Sequence, residues 1–465
     1  MYIEKIIIKK LYGFIDKEIE FNNKISILVG INGSGKTSVL NIINWLLKPN
    51  LSELCLIEFE QISLYFKFKD DKYIIICNQN KVEITVDLEN ITKAKKYTQI
   101  QATFKVHPNK LTKNESLKES LQGVYEDLGP EEHEKETWSF LFNDIPKPIV
   151  IGLDRNLFTE EGEEIRIQTE YSIVENKRIA RRNKSNIFSP LEKVKSLLSK
   201  EHNIYRNNVL ELYSSLNEKI MLSAFDKIFT KTNIASLLKE PKPSVNTIEV
   251  LKEQVVNFLR ENQNLKYQSK KRKNIELSIK KVNTYFDTLK LILKESQDND
   301  NEYDLLYITN ISQFKKINDL IIEFKKFEID TQQLYFPLKE FLDTINSFFK
   351  DSAKQLYFDK ENSEVKFNIL NREGIKIDDD RDIKNLSSGE KQILILLTYI
   401  KYNRNLNVFI IDEPELSLHP KWQGEFLDAV EKLMPNESQL IIATHSPEVI
   451  GDKEDFCTVL LPYNN

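Results

Sequence analysis

Three of the chain's twelve glycines fall within Gly30-Ile31-Asn32-Gly33-Ser34-Gly35-Lys36-Thr37. A mostly apolar run, Ile25–Val29, leads into this loop. Thr37–Leu47 follows it with Val39, Leu40, Ile42, Ile43 and Leu46 at helical spacing. Strand, glycine loop and helix in that order complete the pattern of a phosphate-binding loop. The glycines let backbone N–H groups converge on phosphate oxygens, and the helix N-terminus adds partial positive charge. Lys36 is placed for β- and γ-phosphates and Thr37 for Mg²⁺. Gly30, Asn32, Gly33, Ser34, Gly35 and Ser38 complete the candidate nucleotide-binding set. A chain built this way must contain a parallel sheet flanked by helices.

The chemistry that would act on a bound nucleotide stands at the other end of the chain. Val408–Glu413 (VFIIDE) is an apolar strand ending in two acids. Taken alone it is also what a buried strand with acids at its end looks like. Beside a phosphate loop, Asp412 is the candidate Mg²⁺ ligand and Glu413 the candidate base for the attacking water. His445 closes the next apolar strand, in IIATHS, where its imidazole could meet a γ-phosphate. Leu386–Glu390 (LSSGE) precedes a helix; Ser387, Ser388 and Gly389 make a second phosphate-binding helix start or an ordinary N-cap. Lys36 and Ser387 are separated by 351 positions, from 36 to 387. One site assembled from these parts needs both termini in one domain, with a large insertion between them.

The intervening sequence changes character in steps. Residues 57–88 have period two and predict an antiparallel meander at Ile62–Phe68, Tyr73–Asn78 and Val82–Asp87. Short strands are also expected at Tyr2–Lys10 and Ile19–Phe21. Residues 89–145 are too polar to place, and Lys147–Leu153 reads as another buried strand ending at Asp154–Arg155. From about 190 to 355 apolar residues recur every three and four positions, as in Ile248, Leu251, Val255, Val256 and Leu259, then Ile275, Ile279, Val282, Phe286, Leu289 and Leu293. This predicts amphipathic helices in a hairpin or bundle, with a turn at Asp298–Glu302. Strands return at Gln355–Asp359, Val365–Leu370 and Gly374–Asp378. The expected domains are 1–155, an N-terminal lobe; 156–355, a mainly helical insertion; and 356–465, a C-terminal lobe.

Charge and cysteine usage remove several function classes. Net charge is −5, so no whole-protein basic field exists, and nucleic acid would have to bind local patches. Two basic clusters could do so: Lys177-Arg178 with Arg181-Arg182 and Lys184, and Lys270–Lys273; a solvated face explains them as well. Cys55, Cys77 and Cys457 form no CxxC pair, which argues against a disulfide framework or a cysteine zinc site and fits a reducing cytoplasm. No signal sequence and no apolar run of membrane-spanning length are seen. His107, His133 and His202 are too dispersed for an HNH nuclease site. Glu364-Val365-Lys366 has a nuclease-like ExK form that alternating strand charge also explains. No nuclease is expected in this chain.

Together the motifs resemble an ATP-binding-cassette (ABC) ATPase of the SMC, RecF and OLD branch, over about residues 1–155 and 355–465. The resemblance implies an α/β ABC-ATPase head: a parallel-sheet core plus an antiparallel β subdomain, assembled from both termini around a helical insertion. It implies ATP and Mg²⁺ as cofactors, sandwiched in a head-to-tail homodimer with Ser387 of one copy facing Lys36 of the other. Ser388 and Glu390 replace a glycine and a glutamine of the usual LSGGQ signature. Ser417, Leu418 and His419 match the D-loop. Gln99 and Gln101 are the candidates for the Q-loop glutamine, and Tyr12 is read as a core aromatic, with adenine stacking as the alternative. The 351-residue gap argues against a transporter subunit, and the 20 residues after His445 leave no room for the Toprim domain of an OLD nuclease. The layout is most similar to ATPase subunits of bacterial antiphage systems, PtuA of Septu above all. That implies a separate nuclease effector of HNH type. A RecF- or SMC-like repair ATPase and an ATP-dependent scaffold with little turnover stay open as alternatives.

Overall fold

The computed structural model describes residues 1–111, 115–126, 131–152, 170–174, 177–181, 189–223, 243–261, 272–295, 301–359, 361–402 and 408–462. Asp154–Arg155, Lys270 and Lys271 and most of the Asp298–Glu302 turn lie outside them, as do the side chains of the Lys177–Lys184 cluster.

The chain opens with β1 (Tyr2–Leu11), β2 (Ile15–Glu20), β3 (Ile25–Val29), α1 (Lys36–Leu47) and α2 (Leu51–Leu54). β4 (Gln61–Phe68), β5 (Asp71–Gln79) and β6 (Glu83–Asn90) form the expected meander; β6 alternates buried and half-buried residues along its whole length. β7 (Lys95–Lys96) and β8 (Ile100–Thr103) both pair with β6, giving an antiparallel sheet of order β2-β1-β4-β5-β6-β7 with β8 off that path. β2 is longer than the sequence suggested because Lys17 takes one of its inward positions. Its ammonium, held at the Leu461 carbonyl, breaks the apolar alternation that would have marked the strand.

α3 (Glu115–Glu126), α4 (Lys135–Ser139) and β9 (Ile149–Ile151) follow. β10 (Glu170–Val174) and β11 (Lys177–Arg181) form a hairpin in the segment expected to be mainly helical. Then come α5 (Pro190–Ser223), α6 (Val245–Glu261), α7 (Arg272–Glu295) and α8 (Asn301–Phe349). Ile248, Leu251, Phe286, Leu289 and Leu293, all singled out by their spacing, share one buried cluster with Ile321.

β12 (Lys354–Phe358), β13 (Val365–Leu370) and β14 (Lys376–Asp382) form a three-stranded antiparallel sheet. β14 starts later than expected because Asn371 organises a turn there. Its carboxamide oxygen accepts from the Glu373 and Ile375 amides, and Gly374 takes the left-handed φ of +76°. α9 (Ser388–Tyr402), β15 (Val408–Asp412), α10 (Pro420–Leu433), β16 (Gln439–Thr444), α11 (Pro447–Ile450) and β17 (Cys457–Val459) complete the order.

The second main sheet is wholly parallel, in the order β17-β3-β16-β15-β9. Its strands come from both ends of the chain, so the termini are joined by the sheet itself. Gln439, fully buried, adds a polar clasp: its side chain accepts from the Ile3 amide and donates to the Ile3 and Asn22 carbonyls. Val39, Leu40, Ile42 and Ile43 of α1 share one core with Ile3 and Ile6 of β1 and with Ile410 and Ile441 of the parallel sheet. The chain divides into two compact units, 1–200 with 340–465, and 201–339; the divisions fall inside α5 and α8.

Candidate active site

The strand order decides which motifs meet. All five strands run parallel, so the phosphate loop after β3, His445 after β16 and Asp412–Glu413 at the end of β15 emerge on one edge. β16 lies between β3 and β15, which puts His445 between the loop and the acids. Loops at the carboxyl ends of parallel strands are where such sheets bind ligands.

The phosphate loop is built by its glycines. A Cβ on Gly30 would fall 2.5 Å from the Leu460 carbonyl oxygen and 2.6 Å from Ser34 Oγ, so only glycine passes there. Gly33 and Gly35 adopt φ of +85° and +92°, and Gly35 caps α1. Lys36 is buried and its ammonium donates to the carbonyls of Gly30 (2.7 Å) and Ile31 (3.3 Å), bridging the loop. Asn32 and Thr37 are exposed, and the buried Ser34 hydroxyl has no hydrogen-bond partner. Ser38 Oγ is 3.2 Å from the Tyr12 hydroxyl. Tyr12 is not a core aromatic: it is 39% exposed, because it sits in the β1–β2 turn beside the start of α1.

Thr37 Oγ1 donates to Asp412 Oδ2 at 2.8 Å, joining two residues that the sequence holds far apart. Asp412 is buried, and its other oxygen, Oδ1, has no hydrogen-bond partner. Burial pushes its carboxyl from 3.8 up to about 6, against the hydrogen bond from Thr37; Glu413 pushes the same way as burial. A hydroxyl beside a buried carboxylate with one unused oxygen suits Mg²⁺, which takes one or two protein oxygens and completes its shell with water and phosphate. No cluster of three or more metal-ligating side chains occurs among the described residues, so phosphate oxygens would have to complete such a shell.

Glu413 follows with φ +48° and ψ +57°, a left-handed conformation costing about 1–2 kcal/mol for a residue with a Cβ. Its amide is tied to the Ala443 carbonyl at 2.8 Å, and Pro414 starts a 3₁₀ turn, Pro414–Ser417. The strained residue is therefore held from both sides. Gly152, just past β9, supports the Asp412 backbone: at φ +96° a Cβ there would fall 2.4 Å from the Asp412 carbonyl oxygen.

Sequence reading passed over Glu415. Its carboxylate is buried, accepts from the His445 amide at 2.9 Å and lies 3.0 Å from His445 Nδ1. Its spacing two residues after Glu413, in DEPE, was the available signal.

Ser387, Ser388 and Gly389 sit at the start of α9. The Ser387 amide donates to Glu390, whose buried carboxylate also accepts from Lys354 at 2.7 and 3.0 Å. Burial alone would raise that carboxyl, but Lys354, Ser352 and Ser387 hold it below its usual range. A cavity of about 990 Å³ is lined by Ser387–Gly389 on one side and by Asp412 and Glu413 on another, and neither Lys36 nor Thr37 lines it. His419 caps α10, its Nδ1 accepting from the Lys421 amide at 3.3 Å. Gln99 and Gln101 hydrogen-bond Asp87 and each other on the antiparallel sheet and do not reach the cavity. Glu364 and Lys366 are engaged by Lys195 and Asp359.

A phosphate loop, a buried carboxylate at the end of a neighbouring strand and a second acid beside it define a P-loop ATPase, on an α/β head of the ABC type. A family model for the AAA ATPase domain matches residues 1–450, and the chain belongs to that family. Among curated proteins it is similar to the probable ATPase of retron Vc95 from Vibrio cholerae serotype O1 biovar El Tor, 32% identical over 125 residues and 24% of each chain. It is also similar to the probable ATPase of retron Ec83 from Escherichia coli, 38% identical over 76 residues and 14% of each chain. Each match thus spans a quarter or less of the relative's length. Among solved structures, the Smc head domain with an extended coiled coil bound to the C-terminal domain of ScpA, from Pyrococcus furiosus, aligns over 97% of this chain and 91% of that one, at 13% identity and a TM-score of 0.36.

Proposed function

We propose that this ATPase is the nucleotide-driven regulatory subunit of a defence complex, working as a head-to-tail dimer that controls a separately encoded nuclease. The observation that carries the dimer is the division of the site. Within one chain Ser387–Gly389 share a cavity with Asp412 and Glu413, but the Lys36 loop does not line it. A second copy would bring its signature helix start to the phosphate loop, adding N–H donors where γ-phosphate charge develops. The defence setting is supported by similarity to two ATPases whose names place them with retrons. An HNH nuclease partner of the Septu kind and nucleic-acid contact through the basic clusters are extensions of this reading.

In the proposed cycle Lys36 and the loop amides hold the phosphates, Thr37 and Asp412 would hold Mg²⁺, and Glu413 orients and deprotonates water. Mg²⁺, when bound, neutralises phosphate charge. His445 contacts the γ-phosphate and reports its loss.

Mixing two inactive variants tests the composite site. Lys36→Ala and Ser387→Arg should each abolish turnover alone. Mixed, they form heterodimers with one intact site, recovering about a quarter of wild-type activity under statistical pairing. A mixture that stays inactive sinks the shared site. Purification from the native gene neighbourhood with mass measurement tests the nuclease partner; an ATPase recovered alone with and without nucleotide overturns that part.

A further inference from the structure

The geometry points to Glu415 as the positioning residue of His445, fixing which edge of the imidazole is available to a phosphate. The carboxylate is 5% exposed and turns Oε1 to the His445 backbone amide and to Nδ1. Its second oxygen, Oε2, is buried without a partner. A buried carboxylate is costly unless paired, so holding the histidine is what this one does best. A carboxylate can only accept, which places a proton on Nδ1 and leaves Nε2 as the free edge. To donate from Nε2 to a phosphate oxygen, the ring carries a proton there as well, with Nδ1–H still directed at Glu415 Oε1. Glu413, Lys36 and Glu415 act on Asp412 at this end of the sheet, and Glu448 accepts from the Ser446 hydroxyl beside His445.

The placement of Glu415 gives the pair a second consequence. It lies in the Pro414–Ser417 turn, which begins directly after Glu413. Gln423 makes a parallel latch: its amide donates to the Glu415 and Leu418 carbonyls, and its oxygen accepts from Ser446. Movement of His445 is therefore passed to the turn that follows Glu413 and leads into Ser417–His419. This inference rests on the reading of His445 as the γ-phosphate contact.

Two substitutions separate reach from charge. Glu415→Gln keeps the length and an accepting oxygen; Glu415→Asp keeps the charge but withdraws the oxygen by one methylene. With five histidines in the chain, ¹⁵N-histidine spectra are sparse, and the His445 ring signals are those missing from His445→Gln. Nδ1 protonation should persist in Glu415→Gln and be lost in Glu415→Asp. Turnover should fall about tenfold in Glu415→Asp, with affinity for a fluorescent ATP analogue little changed, and stay within about threefold of wild type in Glu415→Gln. Wild-type ring signals in Glu415→Asp, or loss of Nδ1 protonation in Glu415→Gln, overturn the pairing, whatever happens to turnover. In Glu415→Asp, lost Nδ1 protonation with unchanged turnover upholds the pairing and instead removes His445 from the γ-phosphate.

Discussion

Asp412 holds two properties in tension. Its burial makes it a ready cation ligand and, without a cation, a destabilising group. A carboxyl raised to about 6 in the fold but ordinary when unfolded costs stability when ionised. The cost is absent below about pH 4, grows as pH rises toward 6 and is complete above, at about 3 kcal/mol. Asp412→Asn should therefore raise the melting temperature of the nucleotide-free protein at pH 7–8, with the gain vanishing toward pH 4, while Mg²⁺-dependent hydrolysis is lost. Equal melting temperatures across that range would contradict the burial argument. Glu413→Gln keeps the left-handed backbone and side-chain length but removes the base. ATP binding should be retained while single-turnover hydrolysis falls at least about a hundredfold; near wild-type hydrolysis would remove Glu413 from that role.

At the scale of elements, the site depends on supports with no chemistry of their own. Gly152 ends the short β9 against the Asp412 backbone, where only glycine fits. Gly152→Ala should cost about 2 kcal/mol or more in urea unfolding and also weaken Mg²⁺-ATP turnover, because the carbonyl it displaces belongs to Asp412, the residue proposed to hold Mg²⁺. An unchanged unfolding midpoint would show that the strand end yields freely. Strands and helices that bury a regular face were legible in the sequence: β3, α1, β15 and β16, and the Ile248–Leu293 pattern of the helical unit. The elements that were missed, or whose bounds were misplaced, lack such a face. β14 is held by backbone pairing and an asparagine turn, β2 carries an inward lysine, and β8 offers only Ile100 and Ala102.

At the scale of the whole molecule, closure of the two termini into one sheet is what makes a single site. Gln439 makes three hydrogen bonds to the β1–β3 region, two of them buried. Gln439→Leu would leave those backbone groups unpaired, costing about 2–4 kcal/mol. Because β16 is central in the parallel sheet, the loss should appear as lower global stability by denaturant unfolding, with ATPase activity falling in step with the folded fraction. Activity lost without loss of stability would instead mean that Gln439 acts on the site directly.

Short-range rules let the sequence by itself determine the phosphate loop, the acidic strand end, the histidine after the next strand and the serines at the start of α9. Each depends on residue types at fixed local offsets, because a glycine loop or strand end works through neighbouring backbone. Only the tertiary structure decided that β16 lies between β3 and β15, that Thr37 meets Asp412, that Tyr12 is exposed, and that Glu415 and Gly152 serve the site. Those facts come from strand order and from burial by distant segments, and no local pattern encodes which strand will stand beside which.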